Sequence, residues 1–294
     1  MTPVSDADLE RALRARLGPT ASFRPCQLES IRAALDGRDC LAVLPTGAGK
    51  SLAYMLPAAA RADAGVPGVI VVVSPLLSLI RDQIRRCDEF DVEAESWTSA
   101  TELARLRAVE RDLRLSAEDG GPSTALLFTT PESLLAPRLR DALAECARNG
   151  HVAGLAVDEA HCVSEWGHDF RPDYTRLAEL REILGNPTTI ALTATATPDV
   201  QQDIIRQLGL TADEIRLYHE GIDRPNLELK VVDVWDTDEK LQSILIYMRL
   251  YSIDVICLQE TRVPKADYYN EDGFFIILSG SDGEEKSWAG VGFI

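Results

Sequence analysis

Leu44-Pro45-Thr46-Gly47-Ala48-Gly49-Lys50-Ser51 decides how this chain is read. An apolar, β-rich run, Cys40–Leu44, leads into it and a helical segment follows. Glycines at a strand-to-helix turn let successive backbone N–H groups point inward and cradle phosphate oxygens at the helix N-terminus. Lys50 would then reach the β- and γ-phosphates and the Ser51 hydroxyl would ligate Mg²⁺, with Thr46, Gly47, Ala48 and Gly49 forming the cradle. The full GxxxxGK[ST] pattern is not met, because Leu44 stands where the first glycine is usual. The alternative is an ordinary glycine-rich turn. The strand–loop–helix context favours the phosphate loop, and Lys50 is the only lysine before Lys230.

Working outward, short near-continuous apolar runs alternate with longer helical segments across residues 1–230. Strands are predicted at Cys40–Leu44, Val69–Val73, Ala125–Thr129, Gly154–Val157 and Thr189–Leu192. Such runs are expected of strands buried on both faces of a parallel sheet. Leu76–Phe90 and Pro131–Ala147 read as helices between them. Strand–helix alternation predicts an α/β domain with a mostly parallel, doubly wound sheet. Ligands of such sheets bind at the carboxyl ends of the strands. The fourth predicted strand ends there in Ala156-Val157-Asp158-Glu159-Ala160-His161. A carboxylate at that position, Asp158, can hold Mg²⁺, and the next, Glu159, can orient and deprotonate an attacking water. DEAH by itself is a weak match; following an apolar strand and paired with a phosphate loop, it is a strong one.

Composition bounds the rest. The 294 residues carry 30 Lys+Arg against 47 Asp+Glu, a net charge of −17, with 46% hydrophobic and 26% charged residues. That is a globular protein, not a disordered one, and not one that coats DNA by bulk charge, although a local basic groove is compatible with it. The longest charge-free run, 64–80, has Pro67 and Pro75 inside it, too short and too broken for a membrane helix. The N-terminal stretch lacks the apolar segment of a secretory signal, so an intracellular location is expected, in the cytoplasm of a prokaryote or the nucleus of a eukaryote. Six cysteines without a CxxC pair predict reduced thiols and no zinc site. After residue 230 the cationic residue of choice changes from Arg to Lys and alanine thins out. We read this as a boundary, with domains at 1–234 and 235–294.

With these residues in view, the chain resembles the first RecA-like motor lobe of a RecQ-family DNA helicase of superfamily 2, over residues 23–234. Phosphate loops in that superfamily commonly lack the first glycine. Phe23-Arg24-Pro25-Cys26-Gln27 resembles the upstream element in which Gln27, with Arg24, recognises adenine. Val73-Ser74-Pro75-Leu76-Leu77-Ser78-Leu79 and Thr129-Thr130-Pro131-Glu132 resemble DNA-strand-binding motifs. Ala191-Leu192-Thr193-Ala194-Thr195-Ala196 resembles the motif linking hydrolysis to movement, through Thr193 and Thr195. Residues 162–172, CVSEWGHDFRP, are similar to the aromatic-rich loop that senses single-stranded DNA. There Trp166 and Phe170 offer stacking faces, Arg171 a phosphate or cation–π partner, and His161 adjoins them; core aromatics with a surface Arg are the alternative. Gly221–Leu227 resembles the segment that closes the lobe.

The resemblance implies an ATP-dependent 3′–5′ DNA helicase using ATP and Mg²⁺ on single-stranded or forked DNA, in repair or recombination. It also implies a second RecA-like lobe with an arginine finger, which the remaining residues are too few to supply. The chain is therefore expected to be one lobe, not competent alone. The tail instead carries Ser252-Ile253-Asp254-Val255-Ile256-Cys257-Leu258-Gln259-Glu260-Thr261-Arg262, which resembles a fragment of an endonuclease/exonuclease/phosphatase domain of retrotransposon type. In that family Glu260 would bind the catalytic Mg²⁺. Lys240–Tyr251 is the predicted helix before this strand and Ala289–Ile294 a later strand. A lone carboxylate makes no hydrolytic centre, so Glu260 is expected to be vestigial. The alternative functions are a Mg-dependent endonuclease-like fragment, or a nucleotide- and DNA-binding module without turnover.

Overall fold

Val69, Val71 and Val73 are buried in one apolar cluster while Ile70 and Val72, between them, are buried in another. The same alternation runs through the neighbouring strands, because successive side chains point to opposite faces and both faces of this sheet are covered. The computed structural model describes residues 4–164, 171–221, 237–251, 257–259, 267–271, 274–278 and 291–293. The chain divides into two compact units, Met1–Asp223 and Arg224–Ile294.

The first unit runs α1 (Asp6–Leu17), α2 (Gln27–Leu35), β1 (Cys40–Val43), α3 (Leu52–Asp63), β2 (Val69–Val73), α4 (Leu77–Glu89), β3 (Ala94–Trp97), α5 (Leu103–Leu113), β4 (Leu126–Thr129), α6 (Pro131–Leu135), α7 (Pro137–Arg148), β5 (Val152–Val157), α8 (Leu177–Ile183), β6 (Thr189–Thr193), α9 (Pro198–Gln207) and β7 (Arg216–His219), with 3₁₀ turns at Ala160–Val163 and Pro172–Arg176. Its strands form a seven-stranded sheet in the order β3-β4-β2-β5-β6-β1-β7. Every pairing in it is parallel. The expected doubly wound α/β sheet is present, with β6 between β1 and β5.

Three differences from the sequence reading have physical causes. The helix predicted over Pro131–Ala147 is two helices, α6 and α7. Pro137 drives the preceding Ala136 out of the helical region, to ψ 134°, as proline does to the residue before it. Strands β3 and β7 were not predicted. They are the sheet's edges, and their side chains, such as Glu95 and the exposed Arg216 and Leu217, do not form an apolar run. At the amino-terminal end of the sheet, the Asp39 carboxylate accepts from Thr189 N–H and from Arg181 Nη2, both at 2.7 Å, and its carbonyl accepts from Arg216 N–H at 2.9 Å. This one residue ties β6, α8 and β7 to the start of β1.

The second unit holds α10 (Thr237–Tyr251), β8 (Cys257–Gln259), β9 (Asp267–Glu271), β10 (Phe274–Leu278) and β11 (Val291–Phe293). Its strands pair antiparallel in the order β8-β11-β10-β9. Glu260 lies outside the described residues. No helix among the described residues is long and apolar enough to cross a membrane.

Candidate functional site

The loop between β1 and α3 adopts the geometry that glycine permits: Gly47 and Gly49 have φ of +83° and +77°, a region costly for residues with a Cβ. Gln27, at the start of α2, is almost fully buried against this loop. Its Oε1 accepts from Arg24 N–H at 2.7 Å and its Nε2 donates to the Ala48 and Gly49 carbonyls at 2.7 and 3.3 Å. A Cβ on Gly49 would come within 2.6 Å of Gln27 Nε2, so the loop and the amide are fitted to one another. Arg24 donates to the Gly47 carbonyl. Lys50 Nζ donates to the Leu44 carbonyl at 3.4 Å, which holds the ammonium beneath the loop. Ser51 stands at the N-terminus of α3, while Thr46 and Gly47 are exposed.

A cleft of about 600 Å³ opens beside the loop, bounded by Arg24, Gln27, Gly47, Gly49 and Ser51, and by Leu17 of α1. That is the size of a small-ligand pocket. The contribution of α1 was not legible in the sequence. Leu17 belongs to no motif, and only tertiary packing brings it beside Gln27. Arg16 of the same helix fastens it there, through both Asp63 carboxylate oxygens at 2.8 and 2.9 Å and the Phe90 carbonyl at 3.1 Å.

Two strands away, β5 is followed directly by Asp158 and Glu159. Asp158 is 8% exposed. Burial pushes its carboxyl up to about 6, the Glu159 charge pushes the same way, and the Glu159 N–H and Lys50 offset only part of this. A carboxylate pair with so little compensation fits a cation. Glu159 is in the left-handed region, at φ 48° and ψ 48°, an uncommon place for a residue with a Cβ. That turn breaks the strand's alternation and is followed by the 3₁₀ turn that presents His161.

Thr193, fully buried at the end of β6, joins the two halves. Its carbonyl accepts from Leu44 N–H at 2.9 Å. Its hydroxyl donates to the Thr195 carbonyl at 3.2 Å and lies 2.9 Å from His161 Nδ1. With the hydroxyl proton committed to Thr195, the threonine oxygen acts as acceptor and His161 Nδ1 as donor. His161 Nδ1 is also 3.3 Å from Glu159 Oε2. A continuous polar path therefore runs from the glycine loop through Thr193 and His161 to Glu159.

Trp166 and Phe170 lie outside the described residues, as do positions 222–227 of the closing segment. Arg171 is described. Its Nη1 donates to the Pro75 carbonyl at 2.9 Å, and its N–H to the Cys162 carbonyl at 3.0 Å. It braces the loop after β2 against the turn carrying His161. Thr129 and Thr130 serve locally: Thr129 Oγ1 donates to the Trp97 carbonyl at 2.8 Å, and Thr130 caps α6 through Ser133 N–H.

The chain is 42% identical over 211 residues to the RecQ-like DNA helicase BLM of Xenopus laevis, covering 71% of this chain and 15% of that protein. It is 37% identical over 224 residues to the probable ATP-dependent DNA helicase RecS of Bacillus subtilis, covering 76% and 42%. The chain thus spans less than half the length of these relatives. The crystal structure of the DUF1998 helicase MrfA bound to DNA matches with a TM-score of 0.57 at 18% identity, over 75% of this chain and 30% of that one. This likeness shows the fold, a RecA-like lobe. The description that matches by sequence, DEAD/DEAH box helicase, extends over residues 24–204, which include both the glycine loop and Asp158–Glu159; the chain belongs to the DEAD/DEAH box helicase family, whose members use ATP.

Proposed function

We propose that this chain is the nucleotide-binding motor lobe of a RecQ-type, 3′–5′ ATP-dependent DNA helicase. The observation that carries the reading is the junction at Thr193, which links the glycine loop to His161 and Glu159 in a chain that is 37–42% identical to RecQ-type helicases. Gln27 and Arg24 hold the adenine end of ATP in the cleft beside α1. The loop N–H groups from Thr46 to Lys50 surround the phosphates, and Lys50 neutralises charge at the β- and γ-oxygens. Ser51 and Asp158 would hold Mg²⁺; two protein oxygens suffice when phosphates and water complete the shell. When bound, that ion supplies charge neutralisation on the transferring phosphoryl group. Glu159 orients the attacking water and takes its proton.

His161, hydrogen-bonded to Thr193, reports the state of Glu159 to β6 and the Thr195 segment. Trp166, Phe170 and Arg171 belong to the DNA-sensing side, with single-stranded or forked DNA as the polymer engaged. The lobe works in the compartment that holds DNA, the cytoplasm or the nucleus. Unwinding is assigned to the two-lobed enzyme, whose second lobe supplies the opposite wall of the ATP cleft.

Calorimetric titration with Mg-ATP tests the core of this reading. Wild type is expected to bind, and Lys50→Ala and Asp158→Asn to bind at least tenfold more weakly. Equal affinities across the three would sink it.

A further inference from the structure

Two buried hydroxyls near Asp158 are unused by that reading. Ser74 and Tyr54 are each fully buried, and neither hydroxyl has a hydrogen-bond partner among the described residues. Native proteins rarely bury a polar group without a partner, so each such group calls for an explanation.

Strand register places the first. Val72 lies opposite Phe128 and Ala156, and Val73 opposite Thr129 and Val157. The ladder continues past the strand ends: Ser74 N–H donates to the Thr129 carbonyl at 3.0 Å, and Asp158 N–H to the Val73 carbonyl at 2.8 Å. Side chains alternate, so Ser74 shares a face with Val72, and Asp158 shares it with Ala156. Ser74 and Asp158 are therefore register neighbours on the face where Val72, Phe128 and Ala156 pack with α3. Tyr54 reaches the same place from α3. Its ring meets Phe128 edge-on, with centroids 6.0 Å apart at 76°. Burial and then the Asp158 charge hold its phenol proton on. Tyr54 follows Ser51 by three residues, one turn along the same side of the helix. The helix that begins after Ser51 thus also places Tyr54 on the Phe128 face, the face that Ser74 and Asp158 share.

We propose that Tyr54 and Ser74 are positioning residues for Asp158: two hydroxyls, unpartnered in the metal-free lobe, that become donors to its carboxylate when it turns toward Ser51 to hold the metal. This rests on the reading of Asp158 as the Mg²⁺ ligand. The carboxylate Oδ1 accepts from Glu159 N–H at 3.1 Å, and a carboxylate has lone pairs for further donors. Partners of this kind fix the direction of a metal ligand, and losing one typically weakens metal binding about 10–100-fold.

The test is titration of the full chain with Mn²⁺, standing in for Mg²⁺, in the presence of a non-hydrolysable ATP analogue, with free metal read by electron paramagnetic resonance. Tyr54→Phe and Ser74→Ala are each expected to weaken Mn²⁺ binding about tenfold. Affinity for the analogue without metal should stay at the wild-type level. Tyr54→Phe should also keep the ligand-free Tm of wild type, because it removes only an unpartnered hydroxyl. Asp158→Asn is the reference variant. If it loses Mn²⁺ while a hydroxyl variant binds within twofold of wild type, the role assigned to that hydroxyl is overturned and Asp158 keeps its own. If Asp158→Asn binds Mn²⁺ normally, the reading of Asp158 fails and the inference with it. A fall in ligand-free Tm for Tyr54→Phe would make that hydroxyl structural and overturn its role as well.

Discussion

Gln27→Ala should separate the glycine loop from its support. The Gln27 side chain is 6% exposed and makes two short hydrogen bonds, one from Arg24 N–H and one to the Ala48 carbonyl, with a longer one to Gly49. Arg24 is exposed and regains a water, so its bond is worth about 1 kcal/mol net, whereas the carbonyl of buried Ala48 is left unpaired at about 1–3 kcal/mol. The sum is about 2–4 kcal/mol, which for a unit of this size is a fall in Tm of about 4–16 °C. Gln27→Glu should be at least as damaging at pH 7, because a carboxylate oxygen would then face the Ala48 carbonyl, and should recover toward wild type as pH falls through the raised folded-state value, completely so only below the unfolded value near pH 4. Gly49→Ala sharpens the argument. Its Cβ would lie 2.6 Å from Gln27 Nε2, so combining it with Gln27→Ala removes the clash, and the double variant should be less destabilised than the two singles added together. Thermal unfolding by circular dichroism, paired with ATP titration, reads both effects. A Gln27→Ala protein within 0.5 °C of wild type and with unchanged ATP affinity would refute the idea that this amide holds the loop.

Three further outcomes follow from other parts of the molecule. Asp39→Ala removes the acceptor shared by Thr189 and Arg181 and should cost about 2–3 kcal/mol, the scale of bonds to a charged group; a urea midpoint equal to wild type would contradict it. Asp112 is pushed upward by burial, but bonds from Thr124 and Ser123 outweigh this and hold its carboxyl below the usual range. A depressed acid contributes stability that is complete above about pH 4 and is lost as pH falls through the folded-state value, so the stability gap between wild type and Asp112→Asn should be open at pH 7 and close in the acid range; a gap independent of pH would refute it. The 294-residue polypeptide assayed alone should not displace a strand from a 3′-tailed duplex with Mg-ATP, because an arginine finger from an opposing wall is worth about 10³–10⁵ in rate, or roughly 4–7 kcal/mol of barrier; unwinding that vanishes in Glu159→Gln would overturn this.

What could be read before the structure, and what could not, divides along a physical line. Val69–Val73 announced a doubly covered strand because every residue in it is apolar, and burial on both faces demands that. Gly47, Gly49, Lys50 and Ser51 announced a tight strand-to-helix loop because their chemistry is local: a turn that only glycine takes easily, followed by a cation and a hydroxyl at a helix start. Asp158 and Glu159 were legible because they end an apolar strand. The break at Ala136–Pro137 is also written in the sequence, since proline acts on its immediate neighbour, although the apolar periodicity runs on across it. By contrast β3 and β7 escaped notice, because an edge strand is recruited by the hydrogen-bonding edge of its neighbour and needs no apolar pattern of its own.

The sequence by itself determined the elements whose signal lies within a few residues: the buried strands, the glycine loop and the carboxylate pair. The tertiary structure alone decided the order β3-β4-β2-β5-β6-β1-β7. That order sets β6 between β1 and β5 and so brings Thr193 to Leu44 on one side and His161 on the other, residues as many as 149 positions apart in the chain. It also set Ser74 in register with Asp158, brought Tyr54 onto Phe128 of the same face and laid Leu17 along the cleft. None of these contacts has a sequence signature, because each depends on which strands pair and which face a helix covers, and those are chosen by the packing of the whole sheet, not by any residue's neighbours along the chain.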